Sequence, residues 1–342
     1  MAIISFRPKQ VSKKLLSTLK DRSFDVIANR YGLTDDSERK TLEAIGKKYG
    51  ITRERVRQIE NAALGSIRKS KEMDDSKEVF SELKDILFKL GTVVEEDELL
   101  NHFAKDKSTQ NHIHLYLVLS DDFFKHKEDE HFKTRWALDH DSVEEVHAAL
   151  TRLYESLGDD ELVLESKMIE KLLNQVKEIS DEHRDDEIMK RWLRISKKID
   201  KNPLNEWGRA DSKNVKTRGV KDYTFLVMRR HGEPMHFREV AEAITKIFNR
   251  KTLAATTHNE LIKDPRFVLV GRGRYALREW GYKPGIVREV IQSILKENGP
   301  MTKEEIVDAV LKERFLKRNT ILVNLHNTKH FKKTKDGKYT NA

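Results

Sequence analysis

The sequence contains no cysteine, which excludes disulfides, thiolate zinc sites and cysteine nucleophiles. It also has no apolar run approaching the roughly 18–20 residues needed to span a bilayer. Its opening, Met1-Ala2-Ile3-Ile4-Ser5-Phe6-Arg7, turns polar too soon to read as a secretory signal. These absences lead us to expect a cytoplasmic protein with no membrane partner. Hydrophobic residues make up 37% of the chain and charged residues 36%. Cores are therefore expected to be small and spread over several modules of the 342 residues.

The net charge of +9 is unevenly distributed. Residues 1–72 carry 17 cations against 9 anions, residues 73–213 carry 22 against 34, and residues 214–342 carry 27 against 14. A polyanion would be drawn to both ends and repelled by the middle.

The N-terminal basic segment has an internal pattern. Thr41 suits a helix N-cap, and Leu42, Ile45 and Tyr49 supply an apolar face at helical spacing. Gly50 suits a left-handed C-cap, and Thr52 caps a second helix whose stripe is Val56, Ile59, Ala63 and Ile67. Two helices around a tight turn form a helix-turn-helix over Thr41–Lys69, with Arg53, Glu54, Arg57 and Gln58 free in the first turns of the second helix. Arg suits guanine O6 and N7, Gln suits adenine, and Glu accepts from cytosine N4, so these four are the expected base readers. Lys47, Lys48, Arg55, Arg68 and Lys69 are expected at phosphates, which set affinity and register.

This segment closely resembles region 4 of primary sigma-70-type sigma factors. The match begins at Leu15-Leu-Ser-Thr-Leu-Lys-Asp-Arg-Ser-Phe-Asp-Val-Ile-Ala-Asn-Arg-Tyr-Gly32. It continues through Thr41-Leu-Glu-Ala-Ile-Gly and Thr52-Arg-Glu-Arg-Val-Arg-Gln-Ile-Glu60 to Ile67-Arg-Lys69. The resemblance implies that Arg53, Glu54, Arg57 and Gln58 read a −35-like promoter hexamer in double-stranded DNA. It places Leu42, Glu43 and Thr52 against phosphate. It further implies that the apolar concave side of residues 15–32 is open to the flap-tip helix of the RNA polymerase β subunit. A sigma factor melts DNA with a separate aromatic-rich domain ahead of region 4, and only about 15 residues precede the match. The expectation is therefore a region 4 module that does not act as a complete sigma factor.

Residues 73–342 repeat a pattern with a period of roughly 60–75 residues. Each unit opens with an apolar helix, a short polar turn and a second helix: Leu83–Gly91 with Glu95–Phe103, Ala149–Gly158 with Leu164–Leu173, Tyr223–Gly232 with His236–Ile247, and Val287–Gly299 with Thr302–Leu311. A third helix and two strands follow, the endings being Phe123–Leu138, Trp192–Ala210, Phe267–Leu277 and Phe331–Thr340. Three helices and a β-hairpin make a winged helix. The predicted fold class is thus mainly α, a helix-turn-helix followed by tandem winged-helix domains with short β-hairpin wings. The expected boundaries are 1–72, 80–140, 143–213, 215–282 and 284–342. Gly271-Arg-Gly-Arg-Tyr275 lacks the third glycine and the strand-to-helix setting of a dinucleotide fingerprint and reads as a wing tip. The third unit resembles the HARE-HTH domain through His236-Phe-Arg-Glu-Val-Ala, Thr256-Thr-His-Asn-Glu-Leu-Ile-Lys-Asp-Pro-Arg-Phe267 and Gly271-Arg-Gly-Arg-Tyr-Ala-Leu-Arg-Glu-Trp280. That resemblance allows action on DNA or on polymerase.

Positive charge concentrates on the last two wings, at Arg266, Arg272, Arg274 and Arg278 and at Lys329, Lys332, Lys333, Lys335 and Lys338, with Lys317 and Arg318 on the last helix. Basic wings lie along phosphates or in a minor groove. The acidic stretches Glu95–Glu98, Asp159–Glu161 and Glu182–Glu187 suit spacers or docking surfaces for a basic protein. His112 and His114 would face different sides of a helix, with no carboxylate completing a metal pattern. No metal, cofactor, small-molecule ligand or catalytic constellation is expected. The leading expectation is a bacterial promoter-associated, nucleoid-located DNA-binding transcription factor. Its rivals are an RNA polymerase-binding protein that competes with sigma at the flap and a specificity subunit for a restriction or DNA-processing enzyme.

Overall fold

Helical periodicity dominates the chain. A computed structural model, which describes residues 4–177, 181–282 and 284–342, turns it into seventeen α-helices and eleven short strands among those residues. Met1-Ala2-Ile3, the start of the opening read above for a signal, lies outside the described residues. Helices α1 (Pro8–Leu16), α2 (Asp21–Tyr31), α3 (Leu42–Tyr49) and α4 (Arg53–Arg68) come first, followed by a single turn, α5 (Lys71–Asp74).

The rest of the chain repeats one element order. The first unit runs α6 (Lys77–Lys89), β1 (Val93–Glu95), α7 (Glu96–Phe103), α8 (Lys107–Leu119), β2 (Phe124–His126) and β3 (Arg135–Ala137). The second runs α9 (His140–Ser156), β4 (Val163–Leu164), α10 (Glu165–Leu173), α11 (Asp186–Ile195), β5 (Ile199–Lys201) and β6 (Glu206–Arg209). The third runs α12 (Val220–His231), β7 (Met235–His236), α13 (Phe237–Phe248), α14 (Ala254–Lys263), β8 (Phe267–Gly271) and β9 (Arg274–Leu277). The fourth runs α15 (Val287–Asn298), α16 (Lys303–Glu313), α17 (Arg318–Leu325), β10 (Phe331–Lys333) and β11 (Tyr339–Asn341).

The strand orders β1-β3-β2, β4-β6-β5 and β7-β9-β8 are those of a winged helix. Two details differ from the sequence reading. The polar turn between the first two helices of a unit contains a strand in the first three units, because Val93-Val94, Val163-Leu164 and Met235-His236 pair antiparallel with the third strand. In the fourth unit the same place holds a single bridge, Met301 to Tyr339. The second hairpin starts at Ile199 rather than Trp192, since Ile188, Met189, Trp192 and Leu193 hold one buried helical stripe that keeps Trp192 in α11.

By packing, the chain forms two compact units, one of Met1–Lys201 with Glu206–Asp211 and one of Asn202–Asn205 with Ser212–Ala342. Within the first, a single core joins α1, α2 and α4 to the first winged helix, with Leu15, Ile27, Tyr31 and Ile67 sharing a cluster with Leu83, Ile113, Tyr116 and Trp136. This core crosses residue 72 without a break. The sheet of that winged helix separates two cores through strand alternation. Val94 and Trp136 face the core shared with α1–α4, while Val93 and Ala137 face the core of the second winged helix. In the other compact unit, Phe315 N–H donates to Val270 O (2.7 Å), tying the fourth winged helix to the end of β8.

Candidate nucleic-acid interface

The helix-turn-helix is built by short-range chemistry. Ala44 N–H donates to Thr41 Oγ1 (3.1 Å), and Arg55 N–H donates to Thr52 Oγ1 (3.1 Å), so each threonine satisfies an orphan donor at the start of its helix. Gly50 takes φ +63°, the left-handed cap that ends α3. Val26, Ile45 and Val56 form a small core of their own, with Leu42, Tyr49, Ile51 and Ile59 packed around it. Gly46 was not singled out in the sequence, yet it sets how closely the two helices approach. Ile51 N–H donates to its carbonyl (3.0 Å), and a Cβ there would lie 2.7 Å from Ile51 O.

Arg53, Glu54, Arg55, Arg57 and Gln58 are all exposed on α4. Arg57 grips Glu54 from one turn away, donating from Nη2 to Oε1 (2.6 Å) and from Nε to Oε2 (2.9 Å). That bond holds the Glu54 carboxyl below its ordinary range and raises Arg57. Arg55 Nη1 donates to Gln58 Oε1 (3.0 Å). In the free protein these side chains thus form a polar row of two i,i+3 pairs, made of exposed contacts that exchange for other partners at little cost.

The phosphate candidates divide. Lys47 lies 3.4 Å from Glu43 across one turn, and both are open to solvent. Lys48 pairs with Asp25 (2.8 Å) and lies over the Tyr49 ring. Thr52 and Lys69 are exposed, and Leu42 turns its side chain to the small core. Arg68 departs from the expectation. Its Nε donates to Leu119 O (2.9 Å) and its Nη2 to Val118 O (2.8 Å), so it caps the C-terminal end of α8 instead of pointing to a phosphate.

The apolar side of residues 15–32 is likewise not open. Helix α8, whose run Gln110–Leu117 is buried throughout, covers it. Polar contacts fix the fit. Asn111, fully buried, donates from Nδ2 to Gly32 O and Ser37 O (both 2.9 Å) and accepts from Arg39 Nε (2.7 Å). Ser12 Oγ lies 2.7 Å from Tyr116 Oη and 2.8 Å from His112 Nδ1. His112 and His114 do face different neighbours, His114 lying edge-on to Trp136. The sequence pointed to an open face because the apolar stripe of α2 and its cover are about 85 residues apart in the chain, a pairing no local pattern reveals.

On the third wing, Arg266 is not available to a ligand. It pairs with Asp264 (2.7 Å) and Asp222 (3.1 Å) and lies against the Phe225 and Phe267 rings. Arg274 is partly engaged, donating to Pro234 O (3.3 Å) with Glu239 at 3.4 Å. Arg272 and Arg278 are exposed, as are Lys332, Lys333, Lys335 and Lys338 on the last hairpin.

Comparison with protein families bears on two parts of this arrangement. Residues 15–69 match the model of sigma-70, region 4, and residues 218–280 match that of HARE-HTH, the ASXL and restriction endonuclease HTH domain. The first match ends with α4 and the second spans α12 to β9. The chain joins a sigma-70 region 4 module to a HARE-HTH module. Both are DNA-binding helix-turn-helix types, and they indicate double-stranded DNA as a partner in a transcription-related setting.

Proposed function

We propose that this protein is a sequence-specific double-stranded DNA-binding transcription factor that reads a −35-type promoter element through α4. The observation that carries this reading is the open first two turns of α4, with Arg53, Glu54, Arg57 and Gln58 exposed in a segment that matches sigma-70 region 4. In the major groove, Arg53 and Arg57 would bond guanine, Gln58 adenine and Glu54 the amino group of cytosine. Thr52, Arg55, Lys47, Lys48 and Lys69 flank them for phosphate contact, with the first-turn amides at Leu42 and Glu43.

Contact with RNA polymerase is a second part of the proposal, and it has to use another surface than the apolar side of residues 15–32, because α8 fills that side. An accessory protein held to polymerase through its winged helices fits this requirement.

Genome-wide mapping of the protein alongside RNA polymerase tests the reading. Occupancy at bacterial promoters that is lost with Arg57→Ala is the expected result. Occupancy unrelated to promoters, or indifferent to Arg57, would overturn it.

A further inference from the structure

The four winged units present four third helices, and they differ sharply in what they leave open. In α8, nine of thirteen residues are buried. The cations of α11 are engaged, Lys190 with Glu187 (2.8 Å) and Arg191 and Arg194 with Glu98 (3.4 and 3.0 Å). On α14 the exposed positions carry Ala255, Thr256, Asn259 and Ile262 with one cation, Lys263. Helix α17 is different. It buries only Ile321 and Leu325, and it exposes Arg318, Asn319, Thr320 and Val323 behind an exposed Lys317.

Charge and chemistry agree at this place. From Lys317 to Lys335 the sequence contains six cations and no acid. Asn319 and Val323 are one turn apart and share a face of the helix. Val323 is 72% exposed, an apolar side chain with nothing of its own unit over it. The hairpin β10–β11 is pinned to α17 at its base, because Phe331 is buried in one core with Ile321 and Leu325. Beyond Phe331 it exposes Lys332, Lys333, Lys335 and Lys338, with the turn closed by Gly337 at φ +80°.

We propose that the fourth winged helix is a second duplex-DNA-binding element, with α17 entering the major groove and the β10–β11 hairpin on the phosphates. Asn319 matches an adenine edge, Arg318 a guanine edge and Val323 a thymine methyl. The exposed 3.6 Å ion pair of Arg318 with Glu304 does not hold it back. Duplex RNA fits less well, since its deep, narrow major groove does not admit a helix. The proposal does not depend on the reading of α4.

The test uses the full chain with Arg53→Ala and Arg57→Ala, which silence α4, and a labelled random-sequence DNA duplex followed by fluorescence anisotropy across a salt series. Binding should persist in this background. Adding Lys332→Ala, Lys333→Ala, Lys335→Ala and Lys338→Ala should weaken it at least about tenfold and flatten the log–log salt slope by about 3. Adding Asn319→Ala and Val323→Ala instead should leave the slope and erase any sequence enriched by selection. All six side chains are exposed, and an unchanged circular dichroism spectrum verifies the fold. No binding in the silenced background, an unaltered slope in the lysine variant, or preference for duplex RNA would overturn the proposal. A wild-type chain that selects the same hexamer as the silenced one would count against α4 alone.

Discussion

Glu54 and Arg57 meet in a two-point ion pair on the exposed face of α4, at 2.6 and 2.9 Å. Each therefore holds the other's base-reading atoms until DNA replaces it. Arg57→Ala is expected to lower specific affinity by about 1–3 kcal/mol. Glu54→Gln releases Arg57 from its charged partner. It should strengthen non-specific binding and steepen the salt slope by about 1 while discrimination falls. Titrations of cognate and scrambled duplexes at several salt concentrations measure both, and equal losses on the two duplexes for Arg57→Ala would remove that residue from base reading.

A pair of glycines tests the helix-turn-helix geometry. At Gly46 an added Cβ lies 2.7 Å from Ile51 O, a backbone atom fixed by the turn, whereas at Gly65 it meets nothing within 4 Å. Gly46→Ala should destabilise the protein by about 1–3 kcal/mol through overpacking. Gly65→Ala, inside α4, should stabilise by up to about 1 kcal/mol through helix propensity. Thermal unfolding of the two variants decides it, and similar melting temperatures would mean that α3 and α4 are not in close contact.

Asn111 joins α8 to the segment between α2 and α3 through three hydrogen bonds in a fully buried position. Replacing it with alanine strands Gly32 O, Ser37 O and Arg39 Nε without water. The expected loss is about 3 kcal/mol, more than a typical exposed asparagine would cost. Because the core is shared, DNA binding through α4 and the fluorescence of buried Trp136 should be lost together in urea. Separate transitions would show that the region 4 segment and the first winged helix hold together independently.

Much of this architecture is written locally. Thr41, Gly50 and Thr52 announce the turn, and three- and four-residue spacings give every major helix. Phe267–Leu277 and Lys335–Lys338 mark their hairpins through glycine turns. What escaped was non-local or double-edged. The strand at Val93-Val94 is too short to show period-2 alternation, and it exists because Ala137 and Trp136 lie beside it. Arg68 and Arg266 look like free cations in sequence, and only folding brings them to the α8 carbonyls and to Asp222. Gly46 carries no capping signal, so its role appears only when Ile51 comes close.

Histidine burial yields the last prediction. His114 is 7% exposed and lies near Trp136 and Tyr31, with Arg30 and Arg39 on one side and Lys125 and Glu96 on the other. Desolvation first, then those cations, lower its pKa from an ordinary 6.5 to about 2. The native state keeps this imidazole neutral while the unfolded chain takes up a proton below pH 6.5, so its contribution is full above 6.5 and falls as the pH drops toward the folded value. The loss is about 1.4 kcal/mol per pH unit, or about 2 kcal/mol at pH 5. His114→Gln keeps an acceptor for Lys125 and removes the titration. The difference in unfolding free energy between pH 7 and pH 5, from urea melts, should therefore be about 2 kcal/mol smaller in the variant. An identical difference in both proteins would show that His114 titrates normally and that water reaches the seam between α8 and α2.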